Sequence, residues 1–447
     1  MASIANDALP ILSAFAPAFT AATFQRAQLL AVAAILTTGR RTVSNLLRTV
    51  ACLAQGAASS YHRVLSQAVW SGLRLAALLA RLLVLRFWPA GRIPLVGDDT
   101  VCEHPGKKVH GKGRHRDAVR SSHSYTAWRW GHKWVVLAVL VHFPFAQRPW
   151  ALPVLVALYR TPQDNKARRR KHKTPAQLLQ LLLRMLLRWF PDRQFVFAGD
   201  SGFGSHEMAH FAHRSQGRLA LVSKFHPKAN LHEAPPPYRG KGRRPKKGAK
   251  MPAPAAVVAG GAPRTPLNVS WYGGGRRDVE VVSAVGHWYK GGVGLVPVRW
   301  VYVHDRSGTH RDDYLYSTDV TATAQQISET YTQRWNIETT FEELRAYLGL
   351  ETTRGWCAKT VLRAEPMLLG LYGVVALLYE QLPAQAQQEG GVDWDGKASV
   401  TFSDAISAVR RWLWANWVFA KGGHDHAFAK LPEPLRQALL YALAPAA

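Results

Sequence analysis

Short apolar runs alternate with polar turns between residues 93 and 223, and this order restricts the fold more than any other feature of the chain. Five runs have the length and composition of β-strands, at residues 93–97, 134–141, 152–158, 195–198 and 219–223. Helical patterns lie at 174–189 and 205–215, between the last three runs. Three strands followed by helix, strand, helix and strand predict an α/β domain.

A long helical pattern follows at residues 323–348. Thr323 and Gln326 have the spacing of a capping pair, and neither Pro nor Gly occurs before Gly349, so one continuous helix is predicted. At about 100° per residue, one stripe of this helix is apolar and contains Ile337, Phe341, Leu344 and Leu348. A neighbouring arc of about 60° is polar and contains Tyr331, Arg334, Glu338 and Arg345. Taken alone, that arc is typical of an ordinary salt-bridged helix surface.

Acidic residues follow two of the predicted strands. Asp98 and Asp99 come directly after the run at 93–97, and Asp200 comes after the run at 195–198. Functional groups of open α/β sheets gather at the carboxyl ends of strands, although a single Asp there is also typical of a plain turn. Together with Glu338, these residues supply the oxygen ligands that a hard divalent cation prefers.

Three segments carry a family resemblance. LVGDDT, FAGDSGFG and YTQRWNIETTFEELR are similar, in order and spacing, to the catalytic blocks of DDE transposases of the IS4/IS701 kind. The last segment has their Tyr-x2-Arg-x3-Glu-x6-Lys signature, except that Arg345 replaces the usual Lys. The resemblance covers residues 93–350 and implies a ribonuclease H-like catalytic core with a β-rich insertion, flanked by helical N-terminal and C-terminal regions.

The resemblance also implies roles for individual residues. The first block selects Asp98 over Asp99, so the implied catalytic and metal-binding residues are Asp98, Asp200 and Glu338. They would hold two Mg²⁺ or Mn²⁺ ions for in-line attack on a phosphodiester. Phosphate contacts near the cut are implied for Tyr331, Arg334 and Arg345. An aromatic residue of the insertion stacks on a flipped base in some relatives, which makes Trp300 a further candidate DNA contact.

An excess of positive charge points to a polyanionic partner. The 57 Lys and Arg against 29 Asp and Glu give a formal charge of +28. Three basic runs, at 107–120, 166–173 and 239–250, are typical of solvated loops when taken singly, but together they favour a surface that follows phosphates. The predicted DNA contacts in these runs are Lys107, Lys108, Arg168, Arg169, Arg170, Arg243, Arg244, Lys246 and Lys247.

Cysteine usage and hydropathy bear on the compartment. The three cysteines are widely spaced and form no CxxC pattern, so we expect neither a disulfide framework nor a zinc motif. The apolar stretch at 76–88 is interrupted by two arginines and is predicted to be a core helix. With no signal-peptide pattern at the N-terminus, we expect a cytoplasmic, nucleoid-associated bacterial protein with no membrane contact.

Five regions are predicted along the chain. Residues 1–90 are helical, with short helices at 24–36, 42–50 and 59–70 that fit either a helix-turn-helix DNA-end-binding domain or a plain helical bundle. The other four are the first part of the core at 91–224, a basic and β-rich insertion at 225–320, the second part of the core at 321–385, and a helical region at 386–447.

The sequence therefore predicts a transposase of an insertion sequence. It would cut double-stranded DNA at terminal inverted repeats and join 3′-hydroxyl ends to target DNA, acting as a homodimer in a synaptic complex. Two alternatives stay open: a metal-dependent nuclease of the same fold without strand transfer, and a non-catalytic, domesticated DNA-binding relative. The intact Asp98, Asp200 and Glu338 argue against the second.

Overall fold

A computed structural model describes most of the chain: residues 8–117, 120–122, 124–238, 240, 244–388, 395, 397 and 399–445. The first helices are α1 (Ala8–Ser13), α2 (Ala21–Leu36), α3 (Val43–Thr49), α4 (Ala58–Ser66), α5 (Gly72–Phe87), α6 (Pro162–Ala167), α7 (Pro175–Trp189), α8 (His206–His213) and α9 (Pro254–Ala259). The later helices are α10 (Ala324–Gln333), α11 (Asn336–Tyr347), α12 (Ala358–Gln381), α13 (Ala384–Gln388), α14 (Phe402–Leu413), α15 (Phe419–Lys421), α16 (Asp425–Ala429) and α17 (Glu433–Leu443).

Eleven strands of the described residues form one sheet. They are β1 (Ile93–Glu103), β2 (Gly113–Arg116), β3 (Trp128–Val141), β4 (Trp150–Tyr159), β5 (Phe195–Gly199), β6 (Leu219–Lys224), β7 (Leu231–His232), β8 (Thr265–Ser270), β9 (Arg276–Lys290), β10 (Gly294–Asp305) and β11 (Asp313–Ser317). The main path runs β2-β3-β1-β5-β6-β11-β10-β9-β7, while β4 also pairs with β3 and β8 also pairs with β9.

The five strands predicted from the apolar runs form the centre of this sheet. Strand β1 is antiparallel to β3, which is antiparallel to β4, whereas β1, β5 and β6 are parallel. The spatial order β4-β3-β1-β5-β6 and these directions are those of a ribonuclease H-like core, so the predicted fold class is confirmed. Helix α7 packs on β3 and β4, as its buried Leu179, Leu182, Leu183 and Leu186 require.

The strands of the insertion continue the core sheet. Strand β11 pairs antiparallel with β6, aligning Tyr316 with Ser223, and the long β9–β10 hairpin follows beyond it. The sequence predicted a β-rich insertion here. The strands β9, β10 and β11 are present, and β11 joins them to the core by pairing with β6, which leaves no unpaired edge at β6.

Five helices precede the sheet. Thr42 caps α3 by accepting a hydrogen bond from the backbone N–H of Asn45. Residues 50–57 connect α3 to α4, and Arg48, His62 and Arg63 on these helices are exposed. Helices in this region are confirmed, whereas the choice between a helix-turn-helix and a plain bundle stays a prediction.

Helix α12 crosses the interior of the molecule. Most of its residues from Leu368 to Tyr379 are buried, and it contacts β4, α5 and α14. It is the one helix among the described residues that is long and apolar enough to span a membrane, but 72% of its most apolar window is buried inside the protein. That burial is typical of the core helix of a folded domain.

Candidate active site

Two aspartates meet where β1 and β5 run side by side. The parallel register aligns Gly97 with Gly199, which makes Asp98 and Asp200 the next neighbours on strands about 4.8 Å apart. We predicted that Asp98 and Asp99 follow the end of their strand, and this was wrong. Strand β1 continues to Glu103 because β3 pairs with it as far as Gly131. Asp98 therefore lies inside β1, at the level where β5 ends.

The turn after β5 holds Asp200 by its own backbone. The Oδ1 atom of Asp200 accepts hydrogen bonds from the backbone N–H groups of Gly202 at 2.9 Å and Phe203 at 3.2 Å. The Ser223 hydroxyl donates to the Asp200 carbonyl at 2.8 Å. These contacts fix the Asp200 carboxylate beside β1 and leave its other oxygen, Oδ2, for a ligand.

The helix predicted at 323–348 is interrupted, so that prediction was wrong. Thr323 and Gln326 form the predicted capping box, but α10 ends at Gln333 and α11 begins at Asn336. At the junction, the N–H groups of Arg334 and Trp335 donate to carbonyls three residues back. Arg334 and Trp335 keep helical φ and ψ values, so the interruption is a 3₁₀-like tightening between two helices. The apolar stripe of α11 is nevertheless buried as predicted.

Arg334, at that junction, connects two of the predicted catalytic carboxylates. Its Nη1 atom donates to Asp98 Oδ2 at 3.2 Å and to Glu338 Oε1 at 2.9 Å. The Arg334 side chain is only 8% exposed, against 16% for Asp98 and 32% for Glu338. Two carboxylates from segments more than 200 positions apart in the sequence thus share one buried cation.

The environment of Asp98 favours a bound positive charge. Burial raises the pKa of Asp98 to about 7, the Asp200 charge reinforces the rise, and Arg334 opposes it. A divalent cation would relieve the repulsion between the Asp98 and Asp200 carboxylates, and their oxygens are the ligands that such an ion prefers. The two residues therefore fit a metal ion at this place. Within the described residues, no three His, Cys, Asp or Glu side chains are already close enough to hold a metal, since Arg334 occupies the space between Asp98 and Glu338.

Asp99 points to the opposite face of the sheet. Successive residues of a strand alternate between faces, so Asp99 cannot share the Arg334 side with Asp98. Its carboxylate pairs with Lys133 of β3 at 2.8 Å. This arrangement supports the choice of Asp98, rather than Asp99, as the candidate metal ligand.

Tyr331 is buried, whereas its predicted DNA contact requires an exposed side chain. It is 3% exposed and lies in a small core with Val222 and Leu315. The guanidinium of Arg334 lies 5.7 Å from the centre of the Tyr331 ring. Its role in this structure is to support Arg334, which corrects the prediction.

Two residues near the site were missed by the sequence analysis. Trp335 is 48% exposed, and its ring lies 6.0 Å from that of Tyr272, a residue of the insertion. Burial raises the pKa of the Tyr272 hydroxyl, and the nearby charge of Asp313 adds to the rise. Trp335 lies about 40° beyond the polar arc, on the side away from the apolar stripe, and an apolar residue in that position was the available sequence signal. No local pattern indicated that Tyr272 lies beside α11.

Arg345 is held by protein partners. Its side chain donates to Glu351 Oε1 at 2.6 Å, to the Thr100 hydroxyl at 2.6 Å, and more weakly to the carbonyls of Val101 and Phe341. Thr100 lies two residues after Asp98 on β1, on the same face. Arg345 thus fixes α11 against the strand that carries Asp98, and its predicted phosphate contact requires these bonds to rearrange.

Replacing Arg345 should therefore reduce stability. We expect Arg345→Ala to lower the free energy of unfolding by about 1–3 kcal/mol, since Thr100 and Glu351 lose their partner. Arg345→Lys should recover only part of this stability, because one ammonium cannot bond to both Thr100 and Glu351. Thermal and urea unfolding measure this effect. An unchanged midpoint for Arg345→Ala would contradict the structural role and restore the prediction of a free phosphate ligand.

Trp300 is not available to stack on a nucleobase, so that candidate was wrong. It is 1% exposed on β10, between Tyr316 of β11 and Ala284 of β9. Strands β9 and β11 pair with β10 on either side of Trp300, and the buried Trp300 ring is part of the protein core. The exposed tryptophans of the described chain are Trp128, Trp130, Trp335 and Trp356.

The basic runs lie in two places. The loops after β1 and β4 follow strands of the same direction as β5, so Lys107, Lys108 and the exposed Arg168, Arg169 and Arg170 lie at the edge of the sheet where Asp200 is found. The third run follows β7, near the tip of the β9–β10 hairpin. Its Arg244, Lys246 and Lys247 are exposed, whereas Arg243 lies outside the described residues.

Comparison with known proteins gives three findings. Residues 14–278, more than half of the chain, match the family described as the DDE superfamily endonucleases. Residues 295–365, which include the helix bearing Glu338, match an archaeal transposase family, ISC1217. One similar solved structure is a piggyBac transposase synaptic complex with hairpin DNA, with 9% identity, a TM-score of 0.39, and coverage of 95% of this chain and 76% of that one. No curated protein sequence matches.

Proposed function

Because this chain belongs to the DDE superfamily of endonucleases, we propose that it is a DNA transposase that cuts the ends of an insertion sequence and joins them to target DNA. The finer assignment to the IS4/IS701 kind rests on the Tyr331, Arg334, Glu338 and Arg345 spacing. The similarity of residues 295–365 to an archaeal transposase family supports transposition over simple hydrolysis.

One observation carries the proposal: a single buried guanidinium bonded to Asp98 and Glu338, with Asp200 directly after the adjoining strand. The acidic side chains of β1 and α11 meet at Arg334, and Asp200 follows the strand beside β1. Bringing these three carboxylates together around a metal would cost free energy unless positive charge lay among them. Arg334 supplies part of that charge in the protein alone.

The chain's own residues would divide the work. Divalent ions, Mg²⁺ or Mn²⁺, held by Asp98, Asp200 and Glu338 would activate the attacking oxygen and stabilise the leaving oxygen. Arg334 would pass from the carboxylates to the phosphate, offsetting charge that develops there. The Tyr331 ring would keep the Arg334 guanidinium oriented by packing against it. Arg345 would hold α11 in register with β1.

DNA contacts should be strongest at the edge of the sheet that carries Asp200. We expect the triple variant Arg168→Ala, Arg169→Ala and Arg170→Ala to weaken duplex binding uniformly across sequences and to reduce the slope of log affinity against log salt by about 2–3. Fluorescence anisotropy between 50 and 300 mM KCl would measure this slope, because the Debye length falls by roughly half or more over that range.

The third basic run provides the matched comparison. Neutralising Arg244, Lys246 and Lys247 removes the same number of charges near the hairpin tip. An equal loss of slope in both triple variants would show that both runs contact the same duplex. No loss for the 168–170 variant would remove that loop from the interface.

Transposition acts on two DNA ends, so we propose that two copies of the chain act together in a synaptic complex. Duplex DNA at the transposon ends and in the target is the proposed partner. That partner implies the bacterial cytoplasm and its nucleoid as the place of action. Sedimentation of the protein with and without end DNA tests the proposed pairing.

The decisive experiment uses the DNA that flanks the gene. The purified protein is incubated with Mg²⁺, a fragment carrying both ends of the element, and a supercoiled target plasmid. Ends joined to the plasmid through their 3′-hydroxyls, with a short target duplication, are the expected result. Cleavage without joining would support the nuclease alternative, and binding without cleavage would support the non-catalytic one.

A further inference from the structure

An open groove lies at the end of β1, separate from the carboxylates. It has a volume of about 490 Å³ and is lined by Glu103, His104, Pro105, Lys112, Trp128, Arg129 and Trp130. Two of its walls are indole rings, 49% exposed at Trp128 and 58% exposed at Trp130. Large aromatic side chains that stay this exposed on a sheet need a reason other than core packing.

The two rings share a face of the sheet with Asp98. Residues directly opposite each other in an antiparallel pair lie on the same face, and β1 aligns Asp98 with Val136 and Cys102 with His132. Even-numbered positions of β3 therefore lie on the Asp98 side, including Trp130 and Trp128. Glu103 is five positions after Asp98 on β1, so the groove lies about 17 Å along the strand from the candidate active site.

Positive charge surrounds the rings. The guanidinium of Arg114 lies 4.6 Å from the centre of the Trp128 ring, and the ammonium of Lys112 lies 5.9 Å from that of Trp130. Arg116, opposite Trp128 on β2, is exposed. The one acid in the lining, Glu103, is bonded to Arg129 at 2.7 Å. Cations arranged around exposed rings match a polyanion whose units carry flat, apolar faces.

His104 adds a hydrogen-bond donor that faces no partner in the described chain. The ring is 4% exposed, and its Nδ1 atom accepts a hydrogen bond from the Gly106 N–H at 3.1 Å. Burial, together with the nearby His132, lowers its pKa, so the neutral ring carries its proton on Nε2. That buried Nε2 has no hydrogen-bond partner among the described residues. His104 also lines the groove, so an acceptor there would reach this donor only after the ring turns.

We propose that this groove binds a single strand of DNA, with two unstacked bases on Trp128 and Trp130 and their phosphates on Lys112, Arg114 and Arg116. The spacing of the rings supports this occupant, since residues two apart on a strand are about 6.8 Å apart and can each carry one base. A duplex offers base edges and not faces to such a surface. The proposal rests on the proposed function, because strand cutting at the nearby carboxylates supplies unpaired DNA.

The test measures binding by the full-length protein without metal. A labelled 20-nucleotide thymidine strand and a 20-base-pair duplex are the probes, followed by anisotropy. For Trp128→Ala/Trp130→Ala, we expect the dissociation constant for the single strand to rise by about tenfold or more, with less than about a threefold change for the duplex. The corresponding double Phe variant should retain most of the affinity.

The control is Tyr441→Ala on α17, a residue that is 52% exposed and has Arg411 over its ring at 5.1 Å. It should change neither constant. An equal loss on both probes, no loss on either, or tighter binding of a 20-nucleotide uridine RNA would overturn the proposal. The single variant Trp130→Ala gives the same contrast if the double variant does not fold. This binding test uses neither metal nor transposon ends, so its outcome does not depend on cleavage. A failure of the separate cleavage assay with Mg²⁺ and transposon ends would count against the proposed function alone.

Discussion

Asp98→Asn should abolish DNA cleavage and yet produce a more stable protein. Loss of a carboxylate that would hold the metal should reduce cleavage by about a thousandfold, equivalent to about 4 kcal/mol in the barrier. The stability gain follows from burial, which raises the pKa of Asp98 to about 7. At pH 8 the ionised form therefore costs on the order of 3–4 kcal/mol in the native state, and the neutral amide avoids this cost.

The pH dependence gives the sign of this effect. The folded-state pKa lies above the ordinary value of 3.8, so between about pH 4 and pH 7 the native state holds a proton that the unfolded state has lost. Stability from this group is present at low pH and is lost as the pH rises through 7. Metal-free wild-type protein should lose stability over this window, and Asp98→Asn should lose less.

The matched control for this prediction is Asp99→Asn. Asp99 is the neighbouring residue, but its carboxylate faces Lys133 on the other side of the sheet. Cleavage by this variant should stay within about tenfold of wild type, since no metal contact is lost. Cleavage is measured on labelled end DNA with Mg²⁺, and stability by urea unfolding at pH 5 and pH 8. If Asp99→Asn alone abolished cleavage, the assignment within the pair would be reversed.

Arg363→Ala should cause the largest loss of stability in the described chain, about 4 kcal/mol or more in the free energy of unfolding. Arg363 of α12 is 8% exposed. Its guanidinium donates to four backbone carbonyls at the end of α4 and beyond, those of Val64, Leu65, Ala68 and Trp70, at 2.9–3.2 Å. It also lies 4.2 Å from the centre of the Trp70 ring. The Ala variant leaves buried carbonyls without donors and opens a cavity.

Arg86→Ala is the natural comparison. Arg86 also joins the N-terminal helices to α12, through Glu380, but its side chain is 55% exposed. Exposed ion pairs contribute about 0–1 kcal/mol, so this variant should be nearly neutral. Urea unfolding of both variants, followed by circular dichroism and by limited proteolysis of the N-terminal region, separates the two contacts. Equal effects of the two variants would mean that Arg363 does not hold the two regions together.

The local sequence predicted what depends on neighbouring residues. Apolar runs of strand length gave the central strands, and the Thr323 and Gln326 spacing gave the start of α10, because burial periodicity and caps act within a few residues. The choice of Asp98 over Asp99 also needed only the motif. The structure supports that choice, since Asp98 is bonded to Arg334.

Tertiary structure decided whatever depends on partners from distant segments. Helical periodicity placed Tyr331, Arg334, Glu338 and Arg345 on one arc, but contacts with distant segments decide what each of them does. Tyr331 packs into a small core, Arg334 reaches Asp98, and Arg345 pairs with Thr100. Trp300 is buried because β9 and β11 flank it, whereas Trp128 and Trp130 are exposed because their face of β3 is left uncovered. A single residue's sequence context contains neither fact, since burial is set by contacts between segments far apart in the chain.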